Sequence, residues 1–329
     1  MACKEQATAV LGFGACLMAI RWSLLATRLL SKRKLRGSLQ ARVLHVFGKI
    51  ASLTVGPVYA GPIGAYWRRK SDRKTPRPQY ARPIALVAHA YYLDLLPEVV
   101  TCLDMLPVSS DLIVTVPSAL ESEATGRLSG FERVKVVGVE NRGRDIAPFL
   151  KLLSDGLLDS YDVVLKVHLK RSLHLLDGDI RRRMLFAALA GSRRRVDATL
   201  KLFENKTLGM AGWRPTWRGD VAYWMTNQAR VDEISVAMGS APRNSPAFFE
   251  GSMFWVRPSA LGPLRRLELR SADFEEEGGQ LDGTLHHAIE RVFTIAVGIA
   301  GYSVSDLTGR TLANSPLSQP LQSPEPNTL

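Results

Sequence analysis

Residues 161–172 read YDVVLKVHLKRS. The first eight, Tyr161–His168, are an apolar, valine-rich run with the length and residue types of a buried β-strand. The run ends abruptly in His168-Leu169-Lys170-Arg171-Ser172, which is polar and basic. Alternation along a strand puts Lys166, His168 and Lys170 on one face, provided the strand runs that far. Two lysines and a histidine side by side are costly without an anion or water nearby. The stretch therefore reads either as a frayed strand end with solvated bases or as a place where a phosphate-bearing ligand sits.

Similar runs lie on both sides of it. Pro83–Ala90 (PIALVAHA), Asp111–Val116 (DLIVTV) and Phe131–Glu140 (FERVKVVGVE) read as strands before it, and Leu208–Trp213 and Phe248–Val256 as strands after it. Helical spacing appears over Tyr91–Leu106, from Ile146 onward, over Ile180–Ala190 and over Val196–Phe203. Short apolar strands alternating with helices predict an α/β fold, a mostly parallel sheet with helices on both faces. In such sheets ligands bind outside the carboxyl ends of the strands. Those ends deliver His89 from the first strand, Asn141-Arg142-Gly143-Arg144-Asp145 from the third and His168–Ser172 from the fourth. The strand bodies are apolar, so this polar rim is a site signature.

Each motif has two readings. In N-R-G-R-D, Gly143 permits a tight turn and the two arginines can fork onto phosphate oxygens; alternatively it is a loop with Asp145 as a helix cap. Phe248–Arg257 (FFEGSMFWVR) is either a core strand with a bulge or a place where Glu250, Gly251 and the aromatics, Trp255 among them, meet a sugar. Phe274–Arg291 (FEEEGGQLDGTLHHAIER) sets three acids and two glycines before a helix, with Asp282 either a helix cap or a general base. His286 and Glu290 share one helix face, as do His287 and Arg291. No P-loop, no G-x-S-x-G elbow and no dinucleotide-binding glycine fingerprint is present.

The 329 residues carry a formal net charge of +12, unevenly placed. Arg21–Arg82 holds 15 Lys/Arg against the single acid Asp72, whereas residues 83–329 are close to neutral. Ala7–Ile20 is apolar but shorter than the roughly 20 residues that span a bilayer. Basic residues Lys32, Arg33, Lys34 and Arg36 follow it, the reverse of a secretory signal. A core helix or a processed leader remain alternatives; the preferred reading is an interfacial or short inserted helix with a cytoplasmic basic flank. The expected organisation is a membrane-associating arm over 1–36, a basic linker over 37–82, the main domain over 83–310 and a Ser/Pro/Gln-rich disordered tail over 311–329. The near-neutral body disfavours a nucleic-acid partner. Three cysteines, none in a C-x-x-C pair, argue against disulfide frameworks and structural zinc.

Taken together, NRGRDIAPFL, VLKVHLKRS, FFEGSMFWVRPSAL and EGGQLDGTLHHAIERVF occur in the order of, and resemble, the rhamnan synthesis protein F family over about residues 83–305. Glu250 before the glycine and Leu169 after the histidine depart from the family pattern and bear on substrate preference. The resemblance implies a nucleotide-sugar glycosyltransferase-like fold and transfer of a sugar, plausibly rhamnose, from a nucleoside-diphosphate donor to a lipid-linked glycan of a cell-surface polysaccharide or lipopolysaccharide. The rival reading is a non-catalytic binding subunit of an assembly complex. On the transferase reading Asp282, with Glu277 in reserve, is the base. His89, Asn141, Arg142, Arg144, Asp145, His168, Lys170 and Arg171 hold the donor, and Glu250, Gly251 and Trp255 meet the sugar or acceptor. No metal ligand is assigned; no Asp-x-Asp motif follows a strand, which leaves a divalent cation open.

The apolar start and basic arm predict attachment to anionic membranes on the cytoplasmic side of a bacterial inner membrane. Deleting residues 1–36 should move the protein into the soluble fraction with its body still folded, as read by fractionation and circular dichroism. An unchanged membrane fraction would refute the arm's role.

Overall fold

The computed structural model describes residues 64, 70, 72, 75–169, 171 and 178–313. The 1–36 arm, most of 37–82, Lys170 and nearly all of the 311–329 tail lie outside the described residues.

Alternating apolar runs and amphipathic segments become strands and helices in turn. The strands are β1 (Ile84–His89), β2 (Asp111–Pro117), β3 (Val134–Val139), β4 (Val163–His168), β5 (Leu208–Gly212), β6 (Trp217–Arg218), β7 (Phe248–Phe249), β8 (Phe254–Val256), β9 (Ser303–Asp306) and β10 (Thr311–Ala313). The longer helices are α1 (Leu96–Leu103), α2 (Glu121–Leu128), α3 (Ile146–Ser154), α4 (Gly178–Ala190), α5 (Arg193–Leu202), α6 (Gln228–Ala237) and α7 (Leu285–Ile299). Eight strands form one sheet in the order β10-β9-β5-β8-β4-β1-β2-β3, and β6 pairs with β7 beside it. β1 is parallel to both β2 and β4, and β2 to β3. β8 runs antiparallel between β4 and β5, and β10 antiparallel at the edge. The fold class is the expected one.

Strand alternation sorts the core into two layers. Leu86, Leu165, Val167 and Trp255 face α1, α2, α4 and α5. Val87, Val164, Phe254 and Val256 face α3, α6 and α7. Within the described residues no helix is long and apolar enough to cross a membrane.

The run Phe248–Val256 is a correction: it is not one strand. It breaks at Glu250–Met253 into β7, which pairs with β6, and β8, which enters the main sheet. Gly251 at φ +89° and Ser252 at φ +43° make the turn. Because β8 is reversed against β4, the turn preceding it is delivered to the edge where β4 ends.

At the opposite edge Asp162 gathers three partners. It accepts from Tyr80 Oη at 2.6 Å and Arg82 at 3.0 Å, and it pairs with buried Arg257, which also donates to Leu208 O at 2.9 Å. Asp162→Ala should therefore lower unfolding free energy by about 2–3 kcal/mol, the scale of a charged hydrogen bond lost from a shielded site. Urea denaturation measures it; a change within about 0.5 kcal/mol, the surface-substitution scale, would refute the role.

Candidate active site

The chain runs β1, β2, β3 outward and then returns to place β4 on the other side of β1. That reversal is a topological switch point, where open α/β sheets form a crevice at the strands' carboxyl ends. His89 and His168 end the two central strands in register there, and Val87 and Lys166 pair just before them. All four face the α3/α7 layer.

Lys166 is 2 % exposed, an unusual position for an ammonium. It donates to Asp145 Oδ2 at 2.6 Å, Ser252 O at 2.9 Å and Ser252 Oγ at 3.3 Å. The rings of Phe149, Phe254 and Phe293 lie 5.3–5.8 Å from it and add cation–π attraction. His168 Nδ1 lies 2.9 Å from the other oxygen, Asp145 Oδ1, and Ser252 Oγ donates to Asp145 Oδ2 at 2.6 Å. Burial alone would raise the Asp145 carboxyl, but His168 and Lys166 hold it well below the usual carboxylate range. Asp145 starts α3 without capping it; its side chain turns instead to the sheet. His89 Nδ1 lies 3.0 Å from Thr115 Oγ1, and burial lowers the ring to about 4, so it is neutral at neutral pH.

The N-R-G-R-D loop forms with two successive left-handed residues, Gly143 (φ +63°) and Arg144 (φ +54°). A Cβ on Gly143 would stand 2.6 Å from both Ala147 Cβ and the Phe274 ring, so glycine is required there for space as well as conformation. The loop 274–280 lies across it. Arg142 donates to Glu276 at 2.6 Å and to Phe274 O. Arg144 forks onto Glu277 at 2.8 and 3.0 Å and reaches Gln280 O at 2.7 Å. Asn141 is exposed at the start of the loop. Arg171 pairs with Asp94 and lies over the Tyr92 ring; Lys170 is outside the described residues.

The two acids read as bases are committed to protein partners. The Arg144 fork, outweighing partial burial, draws Glu277 down to about 2. Asp282 accepts from Thr226 N at 3.0 Å, Thr226 Oγ1 at 2.7 Å and Asn227 Nδ2 at 2.5 Å, with Arg291 3.6 Å away. Partial burial favours its neutral form, but these donors leave it lowered. Asp282 does not cap its own helix; Glu275 does that work, accepting Leu285 N at 2.8 Å. Trp255 is a further correction. It is fully buried on the opposite face of the sheet and gives its Nε1–H to Leu189 O at 3.2 Å, so no sugar can stack on it. Glu250 lies between Arg218 and Arg181, and Gly251 stays open, with only Leu185 Cδ1 near its missing Cβ.

Two groups went unassigned in the sequence. Strand alternation sets the face of Lys166 but carries no signal of its buried partners. Glu290, one turn beyond His286 on α7, accepts Gly251 N at 2.6 Å. Their shared helix face was the only signal for it. Among the described residues no three His, Cys, Asp or Glu side chains gather as a metal-binding group.

Residues 68–302 match the family model for rhamnan synthesis protein F. The chain belongs to that family. Membership associates it with polysaccharide biosynthesis. Two curated relatives, the uncharacterized protein WxcX of Xanthomonas campestris pv. campestris from strains B100 and ATCC 33913, are each 36% identical over 240 residues, 71% of this chain and 34% of theirs. The chain thus spans about a third of the length of the curated relatives it matches. Among solved structures, a 4-diphosphocytidyl-2C-methyl-D-erythritol synthase aligns over 74% of this chain and 94% of its own at 11% identity and a TM-score of 0.34, too remote a likeness to argue from.

Lys166→Met would leave Asp145 charged and buried beside His168, and should cost about 3–5 kcal/mol. Lys166→Met combined with Asp145→Leu should recover much of that loss, because no lone charge remains. The folded-state carboxyl of Asp145 is depressed, so its stabilisation is complete above the unfolded value near pH 4 and fades as pH falls below it. Denaturant titration of the wild type and both variants across that range checks this; a wild type whose stability does not fall below about pH 4, or a double variant weaker than the single, would contradict it.

Proposed function

We propose that this chain is a glycosyltransferase of bacterial cell-surface polysaccharide assembly, moving a sugar, rhamnose in the first instance, from a nucleoside-diphosphate donor to a lipid-linked glycan. The observation that carries the reading is the switch-point rim. The carboxyl ends of β1 and β4 bring His89 and His168 beside Asp145, next to an arginine-bearing loop. Sugar transfer needs positive charge where a diphosphate leaves and a polar cleft where a hydroxyl is deprotonated. Arg142 and Arg144, forked and adjacent, supply the first, with Arg171 and Lys170 as further donor-side groups. His168 and Asp145 orient the donor. In this reading a donor diphosphate displaces Glu276 and Glu277 from the two arginines. Glu250 and Gly251 line the sugar or acceptor side. The base role moves away from Asp282 and Glu277, whose lone pairs are already engaged.

The main domain would work at the cytoplasmic face of the inner membrane, held there peripherally or by the apolar, basic arm. A family tie to polysaccharide synthesis and the arm's charge support that placement.

The donor site is tested by opposite substitutions. Arg144→Ala should weaken binding of dTDP and UDP about tenfold or more, the scale of one charge-assisted contact. Glu277→Gln should tighten it, because a competing carboxylate is gone. Calorimetry on both variants reads the signs. Weaker binding in Glu277→Gln, or no change in Arg144→Ala, would displace the diphosphate from this loop. A folded wild type that turns over no nucleotide sugar would favour the non-catalytic binding subunit instead.

A further inference from the structure

Glu290 differs from every other acid around the rim. Glu275, Glu277 and Asp282 each meet an arginine or several donors. The single hydrogen bond of Glu290 among the described residues is from the Gly251 amide to Oε1, at 2.6 Å. Its sequence neighbour Arg291 is spent elsewhere, donating to Tyr223 O at 2.9 Å and His287 O at 2.6 Å and approaching Asp282. The groups facing Glu290 are Glu250 from the turn, Asp145 from the start of α3, and Arg291 on its own helix; His286 stands one turn before it, also within reach of Asp145. The residue as a whole is half-buried. The turn it holds is open: a Cβ on Gly251 would meet only Leu185 Cδ1, at 3.6 Å.

We propose that Glu290 is the proton acceptor of the transfer, an inference that deepens the glycosyltransferase reading and rests on it. The acceptor O–H bond breaks and its proton passes to Glu290 Oε2. The freed oxygen pair bonds the anomeric carbon of the sugar. The bond from that carbon to the diphosphate oxygen breaks, and the nucleoside diphosphate leaves with the electron pair. Burial, together with the nearby Glu250 and Asp145 charges, raises the Glu290 carboxyl to about 7 despite Arg291 and the Gly251 amide. A base with that affinity takes a proton more readily than a carboxylate held by arginine.

The test uses the full chain with radiolabelled dTDP-rhamnose and other nucleotide sugars as donors and an organic extract of bacterial membranes as acceptor. Glu290→Gln keeps an oxygen for the Gly251 amide but cannot take a proton. It should melt near the wild type, bind dTDP as tightly and transfer about 10²–10⁴ times more slowly. The wild-type kcat should fall on the acid side of about pH 7, and the residual rate of Glu290→Gln should lack that limb. Transfer by Glu290→Gln at the wild-type rate would overturn the role of Glu290 and leave the transferase reading standing. A wild type that moves no sugar overturns both. If Glu290→Gln fails to fold, the wild-type profile decides, and a flat profile through neutrality rejects the base.

Discussion

The buried pair of Lys166 and Asp145 is the constraint on which the rest of the rim depends. An ammonium set among the apolar side chains of a central strand carries a desolvation penalty of several kcal/mol. The site answers it with one carboxylate, a backbone carbonyl, a hydroxyl and three aromatic faces. Such a pair adds little net stability over apolar residues of the same shape, but it tolerates few arrangements. It ties the start of α3, the end of β4 and the turn before β8 to one nitrogen. Ser252 shows the consequence: a non-glycine residue at φ +43° is held by a hydroxyl on Asp145 and a carbonyl on Lys166. Strained backbone of this kind persists only where its surroundings over-determine it, and it clusters at functional sites.

Charge around this centre is arranged in two shells of different character. Inside, the cation has a fixed partner that is deeply buried, so exchange would leave a lone charge. Outside, the arginines of the N-R-G-R-D loop meet exposed glutamates on 274–280. The Arg142 pair with well-exposed Glu276 is worth little on its own, whereas the two-pronged Arg144–Glu277 fork is firmer and holds the Glu277 carboxyl down. Ion pairs thus take two forms here, a buried Lys166–Asp145 pair at the strand ends and more exposed arginine–glutamate pairs on the loop beside it.

Much of this was legible from the chain. Apolar runs located β1 to β5 within a few residues, and strand alternation placed Lys166 and His168 on one face. The break in Phe248–Val256 was hidden because Glu-Gly-Ser interrupts an otherwise continuous aromatic run, and a bulge and a full turn look alike there. α2 escaped notice because ESEATGRL is nearly all polar, with only Ala124 and Leu128 buried. Trp255 illustrates an ambiguity that composition cannot resolve: a tryptophan four residues after a glycine suits a sugar platform and a sheet core equally, and only the parity of β8 decides. The partners of Arg142 and Arg144 lie more than 130 residues away, beyond any local pattern.

That distance also explains why the acids were harder to rank than to find. Glu275, Glu277, Asp282 and Glu290 fall within sixteen consecutive residues, and nothing in their spacing separates structural acceptor from proton acceptor. The difference arises from what the fold places opposite each. Arg230 and the Leu285 amide hold Glu275, Arg144 holds Glu277, and the Thr226–Asn227 turn holds Asp282. Each of these donors stabilises the ionised form and makes the group a weaker base. Glu290 receives one amide and faces two other carboxylates, so its proton affinity rises while its neighbours' falls. A helix periodicity that puts His286 and Glu290 on the inner face of α7 thus matters more to the proposed proton transfer than the conspicuous acidic run before it. The acidic run keeps the rim in shape, and that division of labour leaves Glu290 as the rim carboxyl poised to titrate near neutrality.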